Sequence, residues 1–158
     1  SENSLRRPVS LYGKSKKKVE DFILKNSKKI RFKIGIARIF NFYSNSHKNG
    51  FFIHDMKKKL KMTNKIFYIK KINTFRDYIN IDQLCEILFF MIKKKINKPL
   101  NIGSGVSLNL ITLINLIKRK NKYKTLLKFE MNKFPGLVAN INLLRRIGYK
   151  KNIKKFVI

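Results

Sequence analysis

The sequence contains only one cysteine, Cys85, and this scarcity excludes a framework of internal disulfide bonds. Together with His47 and His54, Cys85 also lacks the spacing of a set of metal ligands, so no metal site is expected. A lone thiol of this kind behaves as a small apolar side chain, and we expect Cys85 to lie in the core.

Long apolar runs are absent as well. The longest unbroken run, Ile87 to Ile92, falls far short of the ~20 residues that a membrane-spanning helix needs. The chain does not open with a charged and then apolar segment typical of a secretory signal. The sequence therefore predicts a soluble, cytoplasmic protein without a membrane partner. Its 158 residues, 44% of them hydrophobic, suffice for one globular domain or part of one.

Acidic residues are few: eight Asp and Glu oppose 38 Lys and Arg, which gives a net charge of +30. At face value this charge favours a nucleic-acid or anionic-membrane partner. Most of the basic residues are Lys, however, whereas the planar guanidinium of Arg suits phosphate better. The codons for Lys, Ile and Phe are also all rich in A and T. We interpret the lysines as a solvated surface and expect no specific nucleic-acid partner. A basic nucleic-acid-binding module stays the alternative.

Strand and helix patterns alternate along the chain. Helical apolar spacing is found at residues 11–23, 52–60, 84–92, 110–117 and 143–147, and strand patterns at 31–39, 66–70, 99–102 and 126–130. Ser10 is a candidate helix cap, as are Ser107 and Asn109 for a later helix, and Gly148 ends the last one. The closing YKKNIKKFVI is predicted to be an exposed tail. Strands that alternate with helices indicate an α/β layered fold.

The stretch LYGKSKKKVEDFI contains a residue pair whose spacing indicates chemistry. Tyr12 and Lys16 stand four residues apart, which places a phenol and an ammonium on one face of a helix. A phenol has a pKa of about 10, and a nearby cation favours the phenolate, as a general acid/base requires. Val19, Phe22 and Ile23 form an apolar stripe that is expected to seat this helix against a core. A half-exposed Tyr over a solvated Lys is the simpler alternative on spacing alone.

Glycines occur in two places that resemble phosphate loops. Gly13 with Lys14 imitates the end of a P-loop, but that motif needs another glycine five positions earlier, where Pro8 stands. Gly103 and Gly105 follow a predicted strand and flank one serine. This second pattern is also typical of a tight turn, which is the interpretation that we favour.

Five local patterns occur in the order found in one family. The chain resembles the extended short-chain dehydrogenases/reductases, the NAD-dependent epimerase/dehydratase group that works on nucleotide sugars. The patterns are Glu2 with Pro8, Tyr12, Gly13, Ser15, Lys16 and Glu20; Arg38, Phe40, Asn41 and Tyr43; RDYI at 76–79 with Asp82 and Leu84; NIGSG at 101–105; and Leu144, Ile147, Gly148 and Tyr149. The resemblance implies the C-terminal part of a Rossmann-like doubly wound parallel sheet plus a small α/β substrate-binding lobe.

The resemblance also implies roles at the matched positions. Tyr12 would be the acid/base at a sugar hydroxyl while hydride moves to or from the nicotinamide of NAD or NADP. Lys16 would hold the nicotinamide ribose and lower the phenol's pKa, and Phe40 would line the nicotinamide pocket. Asn41 would bind the nucleotide-sugar substrate, and Arg76 would face its diphosphate. Without the resemblance, Asn41 is a turn residue and Arg76 forms a surface ion pair with its acidic neighbour. A homodimer of the full-length enzyme is a further implication.

The chain departs from the family in two ways. The strand-end motif continues in Ser44 and Asn45 where the family has Gly-Pro, and the Gly-rich βαβ fingerprint for the cofactor's pyrophosphate is not found. We therefore interpret residues 1–158, which begin without Met, as a single partial domain of a longer epimerase, dehydratase or reductase. Roughly a hundred upstream codons for a strand, a Gly-rich turn and a helix are expected. The chain alone is expected to be inactive, and a catalytically silent remnant is the other alternative.

Overall fold

The computed structural model describes residues 1–44, 46, 50–62, 66–69, 74–130, 136–153 and 156. Asn45, His47 and Lys70 of the predicted motifs and strands lie outside the described residues. The elements in these ranges are α1 (Leu11–Asn26), β1 (Ile36–Ile39), β2 (Asn41–Tyr43), α2 (Phe52–Met62), β3 (Ile66–Ile69), β4 (Phe75–Arg76), β5 (Tyr78–Asn80), α3 (Ile81–Lys93), β6 (Pro99–Ile102), β7 (Leu108–Asn109), α4 (Leu110–Lys120), β8 (Leu126–Phe129) and α5 (Asn142–Arg146). No helix in these ranges combines the length and the apolar character that crossing a membrane requires.

The strands form paired ladders. β1 pairs with β6, β2 with β5 and β3 with β8 in parallel, whereas β4 and β7 run antiparallel. Only Phe40 separates β1 from β2, and its N–H donates to the Ile102 carbonyl at 2.9 Å, so one extended stretch passes from the β6 ladder to the β5 ladder. Parallel pairs need crossover connections, which the helices supply. The predicted α/β class is confirmed.

The helices begin where the sequence offers capping side chains. The Ser10 hydroxyl accepts a hydrogen bond from the Gly13 N–H at 3.0 Å, and the Asn109 amide oxygen accepts one from the Ile111 N–H at 2.8 Å. Asn80 caps α3 in the same way. Each cap satisfies an N–H group that the first turn leaves without a helical partner. The structure confirms Ser10 and selects Asn109 over Ser107.

The buried apolar side chains form two clusters. The first cluster joins α2, α4 and β3, and it comprises Tyr43, Ile53, Met56, Leu60, Ile69, Tyr78, Leu110, Leu113, Ile114 and Ile117. The second joins β6, α3 and α5, and it comprises Ile79, Leu84, Ile87, Met91, Leu100, Ile102, Leu144, Tyr149 and Ile153. The helical stripes predicted at 52–60, 84–92 and 110–117 supply much of both clusters, because their apolar positions share one helix face.

The C-terminal segment differs from the prediction of an exposed tail. Tyr149 and Ile153 are buried in the second cluster, and the Phe156 ring centroid lies 4.5 Å from that of Tyr43 in the first. Lys150 and Lys151 between them are exposed. The prediction was wrong because Tyr149, Ile153 and Phe156 pack against apolar partners, while the exposed Lys150 and Lys151 remain in water.

Two further predictions about burial are wrong. Cys85 is exposed, because α3 turns Leu84 and Ile87 toward the core instead. On α1 no residue is buried, and Val19 and Phe22 are 54% and 67% exposed. An amphipathic pattern states which face is apolar, but a face is buried only where another part of the chain covers it.

The early strand region is also rearranged relative to the prediction. The strand expected at residues 31–39 is confined to Ile36–Ile39, and Phe32 at its expected beginning is 73% exposed. A further strand that the sequence patterns did not include, β2, follows at Asn41–Tyr43. Pairing partners far along the chain, β6 and β5, decide these bounds, and local alternation of apolar residues does not reveal them.

Truncating Ile153 tests the burial of the C-terminal segment. Ile153→Ala should lower the free energy of unfolding by about 2 to 4 kcal/mol, because it removes buried methylene groups and leaves a cavity. Ile92→Ala, on the 74% exposed Ile92 side chain of α3, is the matched control and should cost far less. Urea unfolding followed by circular dichroism measures both. An equal loss in the free energy of unfolding for the two variants would show that the C-terminal segment does not pack against the core.

Candidate active site

The Tyr12 and Lys16 side chains lie together near the beginning of α1. The Lys16 Nζ is 5.4 Å from the centroid of the Tyr12 ring, and Tyr12 is 73% exposed. Pro8 packs closely over this turn, since a Cβ on Gly13 would lie 3.0 Å from the Pro8 Cβ. The spacing of four residues thus brings a phenol and an ammonium onto one helix face, where the phenol is accessible from outside the protein.

A charged clamp attaches α1 to β1. The Arg38 Nε donates to both carboxylate oxygens of Glu20 at 3.1 and 3.2 Å, and the Arg38 Nη1 donates to the Glu2 carbonyl at 2.7 Å. The Arg6 guanidinium lies 3.2 Å from the same Glu20 carboxylate. The Glu20 side chain is only 11% exposed, so solvent screens the clamp less than a surface ion pair. The helix that carries the Tyr12 and Lys16 pair is therefore fixed to the strand that leads into Phe40.

Phe40 and Asn41 lie at the junction of β1 and β2 and line one cleft of about 260 Å³. Its lining is mostly aromatic and consists of Phe40, Asn41, Phe42, Gly50, Phe51, Phe52, Ile53 and Tyr78. The Asn41 Nδ2 donates to the Asp77 backbone carbonyl at 3.1 Å, and Asn41 pairs with Tyr78 in the parallel ladder. Asn41 is therefore a strand residue with an oriented amide, and the turn interpretation is wrong.

Arg76 is a half-buried residue of β4. Its Nη1 donates to the Thr74 hydroxyl at 2.7 Å and to the Phe75 carbonyl at 2.9 Å. The neighbouring Asp77 carboxylate is fully buried and bonded elsewhere, so a surface ion pair between Arg76 and Asp77 is not what the structure shows. The guanidinium is held by polar groups of its own strand region.

The Asp77 carboxylate occupies the turn that resembled a phosphate loop. It accepts hydrogen bonds from the Ser104 N–H at 2.7 Å, the Ser104 hydroxyl at 2.6 Å and the Gly105 N–H at 2.9 Å. A Cβ on Gly103 would lie 2.6 Å from Asp77 Oδ2, so only glycine allows this approach. The turn is therefore structural, as favoured from the sequence, and its amides bind an internal anion.

Sequence reasoning assigned no chemical role to Glu2, Glu20 or Asp77. Each makes a hydrogen bond to the backbone or to an arginine: the Glu2 carboxylate, for example, accepts from the Asn101 N–H at 3.0 Å. The signal that could have found them is the scarcity of acids. With eight acidic residues against 38 basic ones, an acid beside a family-like motif is a candidate for a specific bond.

The structure brings the candidate residues into two groups. Phe40 and Asn41 share the aromatic cleft, and Asn41 is bonded to the residue that follows Arg76 in the chain. Tyr12 and Lys16 form the second group on α1, which the Glu20–Arg38 clamp ties to the strand of the first. Among the described residues, no set of three or more His, Cys, Asp and Glu side chains is arranged to hold a metal ion.

Burial raises the pKa of Tyr78 to about 12, against an ordinary value of 10.0, although the nearby Arg76 charge lowers it. The phenol lies in the first cluster, with its ring centroid 5.7 Å from that of Phe156. A neutral Tyr78 is therefore a stable part of the wall between the cleft and the core.

The model of the NAD dependent epimerase/dehydratase family matches residues 1–103, which include the Tyr12 and Lys16 pair, the clamp, the cleft strand and Arg76. The chain belongs to this family. GDP-6-deoxy-D-talose 4-dehydrogenase of Aggregatibacter actinomycetemcomitans is 25% identical over 118 residues, which are 74% of this chain and 40% of that protein.

Solved epimerases and dehydratases share the fold. The dTDP-glucose 4,6-dehydratase of Bacillus anthracis in complex with NAD superposes with a TM-score of 0.81 at 15% identity, over 98% of this chain and 50% of that one. The UDP-N-acetylglucosamine 4-epimerase of Methanobrevibacter ruminantium in complex with UDP-N-acetylmuramic acid gives 0.76 at 16% identity, over 95% and 51%. The chain thus has the Rossmann-like α/β fold of the family and spans about half the length of these solved chains.

The raised pKa of Tyr78 predicts a loss of stability at high pH. A group whose pKa is higher in the folded than in the unfolded state contributes fully to the free energy of unfolding below pH 10. This contribution to stability is lost as the pH rises toward about 12. Tyr78→Phe should remove this part of the pH dependence, roughly 2 kcal/mol over that window. Tyr68→Phe, at a 64% exposed tyrosine, is the control. Urea unfolding between pH 9 and 12 measures it, and parallel curves for both variants and the parent would contradict the assignment.

Proposed function

We propose that the chain forms the acid/base and substrate-binding part of an NAD(P)-dependent nucleotide-sugar epimerase, dehydratase or reductase. The observation that carries the proposal is the family match over residues 1–103, which joins the Tyr12 and Lys16 pair and the Asn41 cleft in one continuous stretch. The proposal extends to residues 1–158 as a single partial domain, because the chain spans about half of its relatives' length.

The residues present fit one end of a dinucleotide cofactor. Tyr12, Lys16 and Phe40 would hold the nicotinamide and its ribose, and NAD or NADP, when bound, supplies the hydride acceptor or donor. The same family fold has been solved with NAD in the dehydratase and with NADPH in RMD of Pseudomonas aeruginosa. A pyrophosphate needs converging backbone N–H groups, and those of Ser104 and Gly105 already donate to Asp77. We therefore infer that the chain alone binds the cofactor weakly and is inactive.

Tyr12 acts in this proposal as the general acid/base at a sugar hydroxyl. Its Oη takes or returns the hydroxyl proton while the carbon that bears the hydroxyl changes oxidation state. Lys16, on the same helix face, places a positive charge beside the ring, 5.4 Å from its centroid. The clamp between Glu20 and Arg38 keeps the phenol at a constant place relative to the cleft.

Asn41 and Arg76 bind the substrate in this proposal. The Asn41 amide has its orientation set by the Asp77 carbonyl, so its other polar atom faces a defined direction for sugar or ribose hydroxyls. A guanidinium presents a planar fork that matches diphosphate oxygens, and the Thr74 and Phe75 contacts orient that of Arg76. A nucleotide-sugar combines both chemical groups in one molecule.

Replacing Tyr12 and Lys16 in a chain joined to a dinucleotide-binding βαβ unit of the family tests the mechanism. Tyr12→Phe keeps the ring and removes the hydroxyl that exchanges the proton, so turnover should fall by roughly 10²-fold or more with little change in substrate affinity. Lys16→Ala should lower turnover and raise the KM for the cofactor. Lys14→Ala, an exposed lysine of the same helix, is the control. Turnover is followed by chromatography of the nucleotide-sugar product, because an epimerase or a dehydratase returns the hydride to the sugar and accumulates no reduced nicotinamide. Normal turnover in both Tyr12→Phe and Lys16→Ala would refute the acid/base role.

The surface also supports a second candidate, a basic module that binds nucleic acid. Several aromatic side chains are exposed among the lysines, including Phe32 at 73% and Phe89 at 67%, and the Lys128 Nζ lies 5.6 Å above the exposed Tyr68 ring. Exposed rings can stack on bases, and lysines neutralise phosphates. This candidate is weaker, because the lysines are spread over many segments rather than aligned along one groove.

A salt titration distinguishes the two candidates. We expect duplex DNA to bind without sequence preference and to be released steeply between about 50 and 200 mM salt, since counterion release alone drives such binding. Fluorescence anisotropy with two unrelated duplexes and one single strand measures this. Affinity for one sequence that persists at the higher salt would favour the nucleic-acid module instead.

A further inference from the structure

Asp77 is a fully buried acid that lies between Arg76 and Tyr78 in the chain. Its carboxylate accepts four hydrogen bonds: two from Ser104 at 2.7 and 2.6 Å, one from the Gly105 N–H at 2.9 Å and one from the Ala139 N–H at 3.1 Å. Three of these donors are backbone N–H groups, which can only donate, so the acceptor-only ionised carboxylate suits the set. A buried charge of this kind is tolerated because its oxygens are hydrogen-bonded.

The four bonds join three separate parts of the chain. They connect the Asp77 position between β4 and β5 to the turn after β6 and to the segment that leads into α5. The backbone adds two more links, because the Asp77 N–H donates to the Leu137 carbonyl at 3.1 Å and the Leu137 N–H donates to the Phe75 carbonyl at 3.0 Å. The strand that bears Arg76 is thus held from both sides.

The same residue is linked to both proposed substrate-binding side chains, to Asn41 by its backbone carbonyl and to Arg76 through Leu137 and Phe75. The Asp77 backbone carbonyl accepts the Asn41 amide at 3.1 Å, and the Phe75 carbonyl, fixed through Leu137, accepts the Arg76 Nη1 at 2.9 Å. A displacement of the Asp77 carboxylate would therefore move the partners of both side chains together. Neither Asn41 nor Arg76 donates to the carboxylate itself in these contacts.

We propose that Asp77 is the positioning residue of the substrate site: its buried carboxylate sets the distance and orientation between the Asn41 amide and the Arg76 guanidinium. The proposal rests on the proposed function of those two residues as nucleotide-sugar ligands. It assigns Asp77 no contact with substrate. It also explains the glycine at position 103, whose Cβ would lie 2.6 Å from both Asp77 Oδ2 and the Ala139 Cβ.

The test compares Asp77→Asn with a variant that is destabilised elsewhere. Asp77→Asn keeps the size of the side chain but turns an amide NH₂ toward backbone donors, so the carboxylate bonds cannot all form. Ile117→Ala removes buried methyl groups in the first cluster, and it is the control for a loss of stability alone. Ser104→Ala removes the 2.6 Å hydroxyl bond to Asp77, together with the bond that the hydroxyl accepts from the Val106 N–H at 3.1 Å, and serves if Asp77→Asn does not fold. All measurements are made on the 158-residue chain at a temperature at which circular dichroism shows each variant to be folded.

Two readouts are needed. In ¹⁵N spectra, Asp77→Asn should shift the side-chain signals of Asn41 and Arg76 and speed the exchange of the Asn41 amide protons, whereas Ile117→Ala should not. In calorimetry with uridine, thymidine and guanosine diphosphates, Asp77→Asn should weaken whichever nucleotide binds by about tenfold or more, because a small displacement of paired ligands is costly. Ser104→Ala should change both readouts in the same direction by less.

The outcomes separate the two proposals. If the parent chain binds none of the three nucleotides, the proposed substrate site is wrong, and the spectra still decide the role of Asp77. If the Asn41 and Arg76 signals are unchanged in folded Asp77→Asn, or in folded Ser104→Ala when Asp77→Asn does not fold, the positioning role is refuted. It is equally refuted if Ile117→Ala produces the same shifts and the same loss of affinity.

Discussion

The buried carboxylate of Asp77 is the interaction on which the arrangement of the site depends. An ionised group away from water is stable only when its oxygens are bonded, and four donors from the turn at Ser104 and Gly105 and from Ala139 meet this demand. Once these bonds exist, the three segments cannot move independently. Together with the β7 ladder and the backbone bonds to Leu137, this constraint holds β4 and the partners of Arg76 in place.

The acids of this basic chain have specific roles. Glu20 accepts hydrogen bonds from Arg38, forms an ion pair with Arg6 and attaches α1 to β1, and Glu2 accepts a hydrogen bond from the Asn101 N–H of β6. On the exposed end of the same network, hydrogen bonds from Lys17 and Arg6 hold the pKa of Asp21 below its usual value. The lysines of the described residues are mostly exposed, so the loss of one of them costs little stability, whereas the loss of Glu20 or Asp77 leaves partners without a bond.

Several features of the fold follow from local pattern alone. The stripes on α2, α3 and α4 and the cap Ser10 depend on residues within one or two turns of each other, and the sequence predicts them correctly. For α4 the sequence offers two caps, Ser107 and Asn109, and the structure has Asn109. The exposed face of α1 and the exposed thiol of Cys85 show the limit of such patterns. Whether an apolar face is covered depends on distant segments that the pattern does not contain.

The sequence by itself determined the α/β class, the family, and the Tyr12 and Lys16 pair, because each rests on short spacings that a helix or a motif reproduces wherever it occurs. Only the tertiary structure decided that the amides of the glycine turn are bonded to Asp77 and that Asn41 is oriented by a carbonyl 36 positions along the chain. Contacts over such separations depend on how parallel strands pair across crossovers, and no local pattern encodes that pairing.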